Sequence, residues 1–439
     1  MKDILNFQSY VVDAKEPYLK FKEAKDKIKC QKILLNQWKA MTKEEQRKYN
    51  KKIGKFYHEK GFENEDTSEK NYRLMESESI KRLDEESELK YMSLGGMNDK
   101  QSIMDLLNMI ENVDHIKRIY KLRKKNLENK NKAGINSTEA AKLKSCLRQG
   151  RELFEAGCKG FSRVKPLIFF YALTSYAYSI ILLNNPLCIS LDNLKGSHGV
   201  KYSQKDFQIQ FGGDVPEGTF SDLFLSFPII YHKTNAVELR QDIRDSVYHY
   251  FSRHCIVSVA SLLQMLPELQ EVYRLATNQN GVAYPVEINR TDDSKKISWK
   301  MRIGRGDDIP NIKDIEKCIP SSSGLEFKEN DGGVPSLTFT GEQFKTIGAT
   351  FFSDLYGDIW FINHNLSPIV LPEICVHFLL LSIFSNIMRY APDTWEKILM
   401  NEENSGVSLL VHRYLALIEK KLPILLGQSL TEYYTVYSK

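Results

Sequence analysis

Apolar residues recur at steps of three and four from Ile103 to Leu122, which predicts one amphipathic helix of several turns. An Asn- and Lys-rich stretch, residues 126–136, interrupts this pattern. A second helix is predicted from Ser137, whose Ser-Thr-Glu start is typical of a helix N-terminus, to Cys158. The pattern therefore favours helices for the first part of the chain after residue 100.

Two further stretches are apolar almost without a break. No charged residue lies between Lys165 and Asp192, and residues 366–388 contain a single charged residue, Glu373. Scattered hydroxyl and amide residues interrupt the first stretch, and prolines and His377 interrupt the second. Because a membrane span needs about 20 predominantly apolar residues, we expect both stretches to be buried core helices rather than spans.

The pattern changes to strands in the middle of the chain. Residues 207–211 alternate apolar and polar side chains, and segments between 281 and 362 alternate with Gly- and Asp-rich turns, which predicts a small antiparallel sheet. Residues 236–276 return to helical spacing, with Ile256 on the apolar side. Helices resume at Leu371. This order predicts a mostly helical α+β fold, a helical domain with an inserted antiparallel sheet.

Composition indicates a folded protein. Of 439 residues, 42% are hydrophobic and 11% aromatic, which is too much apolar surface for a disordered chain. The 7 cysteines form no CxxC pair, and the N-terminus lacks a secretory pattern, so we expect a cytoplasmic protein. The P-loop, HExxH and GxSxG motifs are absent from the sequence. We expect no cofactor, no metal site and no membrane partner.

Charge divides the N-terminal third into blocks. Residues 15–60 hold 15 Lys and Arg against 6 Asp and Glu, and residues 61–111 hold 6 against 13. The acidic block has few aromatics and reaches Gly95-Gly96, which is typical of a linker. We therefore predict a basic module at 1–60, an acidic linker at 61–100 and a large α+β domain at 101–439.

Apolar residues of the basic module fall on three helical faces, which predicts three short helices. Thr42-Lys-Glu-Glu45 is a capping box that starts the third helix. Basic residues cover the remaining surface, and those predicted to bind DNA are Lys20, Lys22, Lys25, Lys39, Lys43, Arg47, Lys48, Lys51, Lys52 and Lys55.

The stretch from Trp38 to Tyr49, with Pro17-Tyr-Leu-Lys-Phe21 ahead of it, resembles the HMG box. That resemblance implies binding in the minor groove with DNA bending. The charge alone implies a weaker version, a patch of about +9 that binds phosphates with strong salt dependence. Docking on an acidic protein, or on the acidic block of this chain, is the alternative.

Residues from about 145 to 430 are similar to the bacterial YaaC-like family. The similarity lies in Gln149-Gly-Arg-Glu-Leu-Phe-Glu-Ala-Gly157, in Leu194-Lys-Gly-Ser-His-Gly199, in the segment 262–269 and in the C-terminal helices from Leu379. The resemblance implies a cytosolic bacterial protein with a helical fold. Joined to a DNA-binding module, it suggests by analogy a component of a multiprotein system, for example one of antiviral defence.

One pattern could carry catalysis. Arg244-Asp-Ser-Val-Tyr-His249 matches the Arg-x4-His spacing of HEPN ribonucleases, in which the imidazole acts on a ribose hydroxyl and the guanidinium holds the phosphate. The alternative is that Arg244 pairs with a neighbouring Asp and that His249 has no catalytic role. His198, flanked by glycines, is either a ligand contact or a turn residue.

The sequence thus predicts a DNA-associated protein whose large domain assembles with partner proteins. Whether it is an enzyme stays open at this point. The alternatives are a HEPN-like ribonuclease effector that uses Arg244 and His249, and a non-catalytic protein-interaction scaffold.

Overall fold

The chain divides into two units, Met1–Glu86 and Ser87–Lys439. The computed structural model describes parts of the second unit, at residues 91–96, 99–124, 134–185, 188, 190–194, 196–203, 207–211, 218–227, 256–293, 296–304, 309–318, 327–329, 333–339, 350–364, 371–402, 405–431 and 434–437. The predicted basic module at 1–60 lies outside these residues. Tyr91–Ser93, at the end of the predicted linker, is a strand of the second unit.

Helices make up most of the described chain. They are α1 Lys100–Ile110, α2 Val113–Lys124, α3 Ser137–Lys159, α4 Lys165–Asn184, α5 Thr219–Phe224, α6 Val259–Leu263, α7 Gln270–Thr277, α8 Ile312–Cys318, α9 Glu373–Tyr390, α10 Pro392–Leu399 and α11 Ser405–Leu430. Together with antiparallel sheets they confirm the predicted mostly helical α+β fold.

The first amphipathic stretch forms two helices where the sequence predicted one. α1 ends at Ile110 and α2 begins at Val113, because the Asn112 side chain accepts a hydrogen bond from the backbone N–H of Asp114 at 2.8 Å. This Asn side chain satisfies a free amide at a new helix start, so it competes with continuation of the helix. Both halves still bury apolar residues in the same core.

The two apolar stretches form α4 and α9, which pack against each other at the centre of the domain. By length and composition α4 could cross a membrane, yet 78% of its most apolar window is buried inside the protein. α9 and α10 together pass the same test, but they meet at an angle of 114°. These helices are core helices, as the sequence predicted.

The inserted antiparallel sheet is also confirmed. The strands of the described residues are β1 Tyr91–Ser93, β2 Val200–Ser203, β3 Gln208–Phe211, β4 Ile256–Ser258, β5 Ala283–Asp293, β6 Lys296–Ile303, β7 Phe327–Glu329, β8 Pro335–Phe339, β9 Phe351–Ser353, β10 Ile359–Ile362 and β11 Tyr434–Val436. Six of them pair in the order β7-β8-β6-β5-β10-β9, and their own small core contains Met301, Ile303 and Phe361.

A second, three-stranded sheet β2-β3-β4 corrects one helical prediction. Ile256, predicted to lie in a helix, is in strand β4 and pairs with Gln210 of β3. The helix starts only after Ser258, whose hydroxyl accepts a hydrogen bond from the Ser261 N–H at 3.0 Å. Adjacent β-branched residues favour a strand once a partner strand is available, and the partner comes from a distant part of the chain.

The two ends of the second unit meet in a parallel pair, β1 with β11. Tyr437 follows β11 and is buried, and its hydroxyl donates to the Lys420 carbonyl at 3.0 Å. A Cβ at Gly427 would lie 2.1 Å from the Thr435 hydroxyl, so glycine lets the last strand lie against α11. The last described strand of this unit is therefore held against its first described strand.

Candidate functional site

The catalytic and DNA-binding residues that the sequence predicts lie outside the residues that the structure describes. Arg244 and His249 fall in residues 228–255, and all of the lysines predicted to bind DNA, together with Arg47, precede residue 91. Their roles stay predictions. Two clusters of polar side chains on opposite faces of α9 are the candidate sites within the described residues.

The first cluster surrounds His198, whose loop is held by glycines. Gly218 has φ of +152°, and a Cβ there would lie 2.4 Å from the Gly199 nitrogen. This close approach allows the Thr219 N–H to donate to the Ser197 carbonyl at 2.9 Å and the Phe220 N–H to the His198 carbonyl at 3.2 Å. The glycines thus fix the His198 loop against the start of α5.

The His198 ring packs edge-on against Phe170 of α4, with ring centroids 4.8 Å apart. Its Nδ1 atom is buried and has no hydrogen-bond partner among the described residues. Burial, and after it the positive charge of Arg389, lower the pKa of His198. The imidazole is therefore neutral at pH 7, with one ring nitrogen as a donor and the other as an acceptor.

Polar residues on α9 form a stripe toward the same region. Ser382, Ser385, Asn386 and Arg389 are spaced by three and four residues, so they share one helix face. The Arg389 Nε–H donates to the Ser385 carbonyl at 3.2 Å, and its guanidinium carbon lies 5.0 Å from the Tyr390 ring centroid. No carboxylate among the described residues pairs with Arg389, and the buried Ser385 hydroxyl has no partner.

Tyr202 of β2 completes this cluster. Burial raises the pKa of Tyr202, while a hydrogen bond with the Ser382 side chain and the charge of Arg389 lower it. The Ser382 hydroxyl donates to the Leu379 carbonyl at 2.8 Å. We call His198, Tyr202, Ser382, Ser385 and Arg389 the Arg389 cluster.

The second cluster lies on the other face of α9, toward α11, and its centre is Lys421. The fully buried Nζ lies 2.9 Å from Glu268 Oε1 and 2.8 Å from Glu373 Oε1, and it also donates to the Ser353 carbonyl. His377 Nδ1 lies 3.3 Å from the Tyr414 hydroxyl, and its Nε2 lies 3.9 Å from Glu373 Oε1. We call these five side chains, Glu268, Glu373, His377, Tyr414 and Lys421, the Lys421 cluster.

Electrostatics assign protonation states to Lys421 and His377 and raise the pKa of Glu373. Burial raises the pKa of Glu373 to about 7, although the Lys421 charge opposes the shift. The pKa of Lys421 is raised despite burial because both carboxylates favour its charge, so it remains an ammonium. Burial and Lys421 hold the pKa of His377 well below its ordinary value. His377 is therefore neutral.

The two clusters differ in what they can do. Lys421 donates hydrogen bonds to Glu268 and to the Ser353 carbonyl, pairs with Glu373 and is fully buried, so this ammonium is neither a nucleophile nor open to a ligand. The Arg389 cluster keeps unused donors at a half-buried position. No group of three or more His, Cys, Asp or Glu side chains with the geometry of a metal site occurs among the described residues.

The sequence singled out His198, Glu373 and His377 but connected none of them with Arg389 or Lys421. Glu373 and His377 interrupt an apolar stretch, and a buried charge needs a partner, so that signal was present. Arg389 and Lys421 gave no such signal in the sequence, because each lies in a predicted helix, where a cation on the surface is ordinary.

The fold and these clusters define a helical α+β domain with a buried ion-pair centre and a basic polar cluster. The YaaC-like Protein family matches residues 106–430, which is more than half of the chain. The chain therefore belongs to the YaaC-like family. The match does not reach residues 1–60, where the HMG-box resemblance lies. No curated protein and no solved structure matches this chain significantly.

Proposed function

We propose that this chain is a cytoplasmic bacterial DNA-associated protein. In this proposal the basic region at 1–60 binds DNA without base specificity, in the manner of an HMG-box-like module. The YaaC-like domain is the folded body that assembles with other proteins of a multiprotein system, for which we propose antiviral defence. The observation that carries the proposal is the excess of 15 basic over 6 acidic residues between 15 and 60.

The ion pairs of the described domain support this division of roles. Arg151 lies 2.5 Å from Glu111 and 3.0 Å from Glu155, and Lys165 pairs with Glu419. Cations that are neutralised within the domain have less charge to offer to phosphates. A polyanion is therefore expected to meet the N-terminal basic region first.

The test compares two sets of four Lys→Gln substitutions in the full chain. One set changes Lys48, Lys51, Lys52 and Lys55, and the matched control changes four exposed lysines of the large domain, Lys144, Lys201, Lys313 and Lys397. Fluorescence anisotropy of a labelled duplex is measured from low to high salt.

The N-terminal set should weaken binding strongly and flatten the plot of log K against log salt by about 0.9 per lost phosphate contact. The control set should change neither quantity. Equal effects of the two sets, or duplex binding by neither the parent nor the control at low salt, would refute the proposal.

The alternative function is RNA cleavage by Arg244 and His249, and its only support is the Arg-x4-His motif in the sequence. His249→Ala should abolish RNA loss or cellular toxicity if that alternative is correct, and it should leave salt-sensitive DNA binding unchanged. If neither the lysine set nor His249→Ala has any effect, a protein-interaction scaffold without nucleic acid is the better interpretation.

A further inference from the structure

One side of α4 is apolar and open to solvent, although the rest of this helix lies in the core. No charged residue follows Lys165 in α4, which ends at Asn184. From the turn before the helix, residues at alternating steps of three and four form a row that we call the α4 seam: Phe161, Val164, Ile168, Tyr171, Ser175 and Tyr178. These steps average 3.5 residues, the spacing at which two helices pack along each other.

The exposure of the α4 seam is unusual for apolar side chains in one row. Val164 is 40% and Tyr171 is 39% exposed, and Ile168 and Tyr178 are half-buried. The buried Ser175 hydroxyl donates to the Tyr171 carbonyl at 3.0 Å, so covering the seam leaves this hydroxyl with a partner. A contiguous exposed apolar row is typical of an interaction surface.

Phe161 is the most exposed member of the seam, at 85%, and the structure holds its turn in place. The Val164 N–H donates to the Phe161 carbonyl at 3.0 Å. The indole N–H of buried Trp395 donates to the Arg163 carbonyl at 2.9 Å, and the Arg163 side chain pairs with Glu396 of α10. An aromatic side chain on a fixed turn can be buried by a partner with little loss of conformational entropy.

The α4 seam is complementary to itself. It is symmetric about the midpoint between Ile168 and Tyr171. An antiparallel pairing with a two-fold axis at this point places each member opposite a member of a second copy, namely Phe161 opposite Tyr178, Val164 opposite Ser175 and Ile168 opposite Tyr171. Because the seam contains no charged side chain, this pairing buries no charge.

Charges on the neighbouring helix α3 are complementary in the same arrangement. α3 packs antiparallel beside α4, and the Ser175 hydroxyl donates to the Gln149 side chain at 3.4 Å. The midpoint of the seam is therefore level with about residue 155 of α3. Glu152 and Lys159 are exposed and lie about one turn on either side of that level, so Glu152 of each copy faces Lys159 of the other.

We propose that the α4 seam is the interface of a two-fold homodimer, in which α4 packs antiparallel against α4 of a second copy of this chain. The symmetry of the seam and the opposite charges on α3 favour a second copy over a helix of a different protein. The dimer does not depend on DNA binding by residues 1–60.

Sedimentation equilibrium of the full chain at micromolar concentrations and moderate salt measures the dimer. Tyr171→Glu places two carboxylates beside the two-fold axis, and Leu275→Glu is the matched control at a 77% exposed leucine of α7. The parent and Leu275→Glu should have twice the mass of one chain. Tyr171→Glu should be monomeric, with a dissociation constant raised by about 100-fold or more, because like charges are brought together.

Two further variants separate the interface from an effect on folding. Phe161→Ser, at the most exposed position, should keep the circular dichroism spectrum of the parent and weaken the dimer by about 10-fold or more. Glu152→Lys should also weaken the dimer, and adding Lys159→Glu should restore it because the charges are exchanged.

A parent chain that remains monomeric would overturn the proposal and leave the α4 seam for a helix of a different protein. Equal dissociation constants of Tyr171→Glu and Leu275→Glu would overturn it as well, because the dimer would then form elsewhere on the chain. No recovery in the charge-exchanged variant would overturn the antiparallel arrangement.

Discussion

Replacing Lys421 with methionine tests the electrostatic account of the Lys421 cluster most directly. Methionine keeps much of the length of the lysine stem but removes the ammonium that lies 2.9 Å and 2.8 Å from two carboxylate oxygens. Glu268 and Glu373 would then face each other with little access to water. We expect Lys421→Met to lower the free energy of unfolding by about 3–5 kcal/mol, the usual loss when one partner of a buried ion pair is removed.

The expected loss is large compared with the free energy of unfolding of a whole domain. Single domains unfold with about 5–15 kcal/mol, so this one change would remove a substantial fraction of the stability. The loss should be greater at pH 8 than at pH 6, because the pKa of Glu373, about 7 in the parent, rises further once the Lys421 charge that lowers it is gone, and keeping this carboxyl protonated in the folded variant costs more at the higher pH. Protonation then removes one of the two unpaired charges.

Urea unfolding followed by circular dichroism at pH 6 and pH 8 measures both effects. Lys397→Met, at an exposed lysine of α10, is the control and should change stability by less than about 0.5 kcal/mol. A triple variant, Lys421→Met with Glu268→Gln and Glu373→Gln, should recover most of the loss, because no buried charge remains. A loss below about 1 kcal/mol for Lys421→Met, or no recovery in the triple variant, would refute the reasoning.

Two further predictions follow from single residues. The pKa of Glu373 in the folded protein, about 7, exceeds its ordinary value of 4.5, so its protonated form adds stability below pH 4.5 that is lost as the pH rises through 7. Glu373→Gln should therefore flatten the fall in thermal midpoint between pH 5 and pH 8. An unchanged slope would contradict the assigned pKa. Gly218→Ala should destabilise the domain by about 1–3 kcal/mol in urea unfolding, because the φ of Gly218 is +152° and the new Cβ would lie 2.4 Å from the Gly199 backbone. Gly96→Ala is the control and should be close to neutral, because no atom lies within 4 Å of the Cβ position there.

Periodicity predicted the elements of the large domain well because each buries one stripe or one face. α3 ends at Lys159, one residue beyond the predicted Cys158, and the strands between 281 and 362 lie where alternation placed them. The errors occurred where a local competitor decided the outcome. Asn112 ended a helix that the apolar pattern would continue, and β3 drew Ile256 into a sheet.

The sequence could not predict the two clusters of side chains on α9, and the reason is different. Glu268 and Lys421 are 153 residues apart in the chain, and no spacing rule connects them. The Arg389 charge lowers the pKa of His198 only because α9 packs beside α4 and the glycines at 199 and 218 hold the His198 loop there. Such juxtapositions depend on the packing of whole helices rather than on the residues within one of them.

The sequence by itself determined the helical α+β architecture, the burial of α4 and α9 and the concentration of positive charge between residues 15 and 60, because these depend on which residues are neighbours in the chain. The tertiary structure decided which buried charges meet. A buried ammonium and two carboxylates are stable only within a few ångströms of each other, and that distance is set by the packing of α9 against α11 and the Pro267–Leu269 turn.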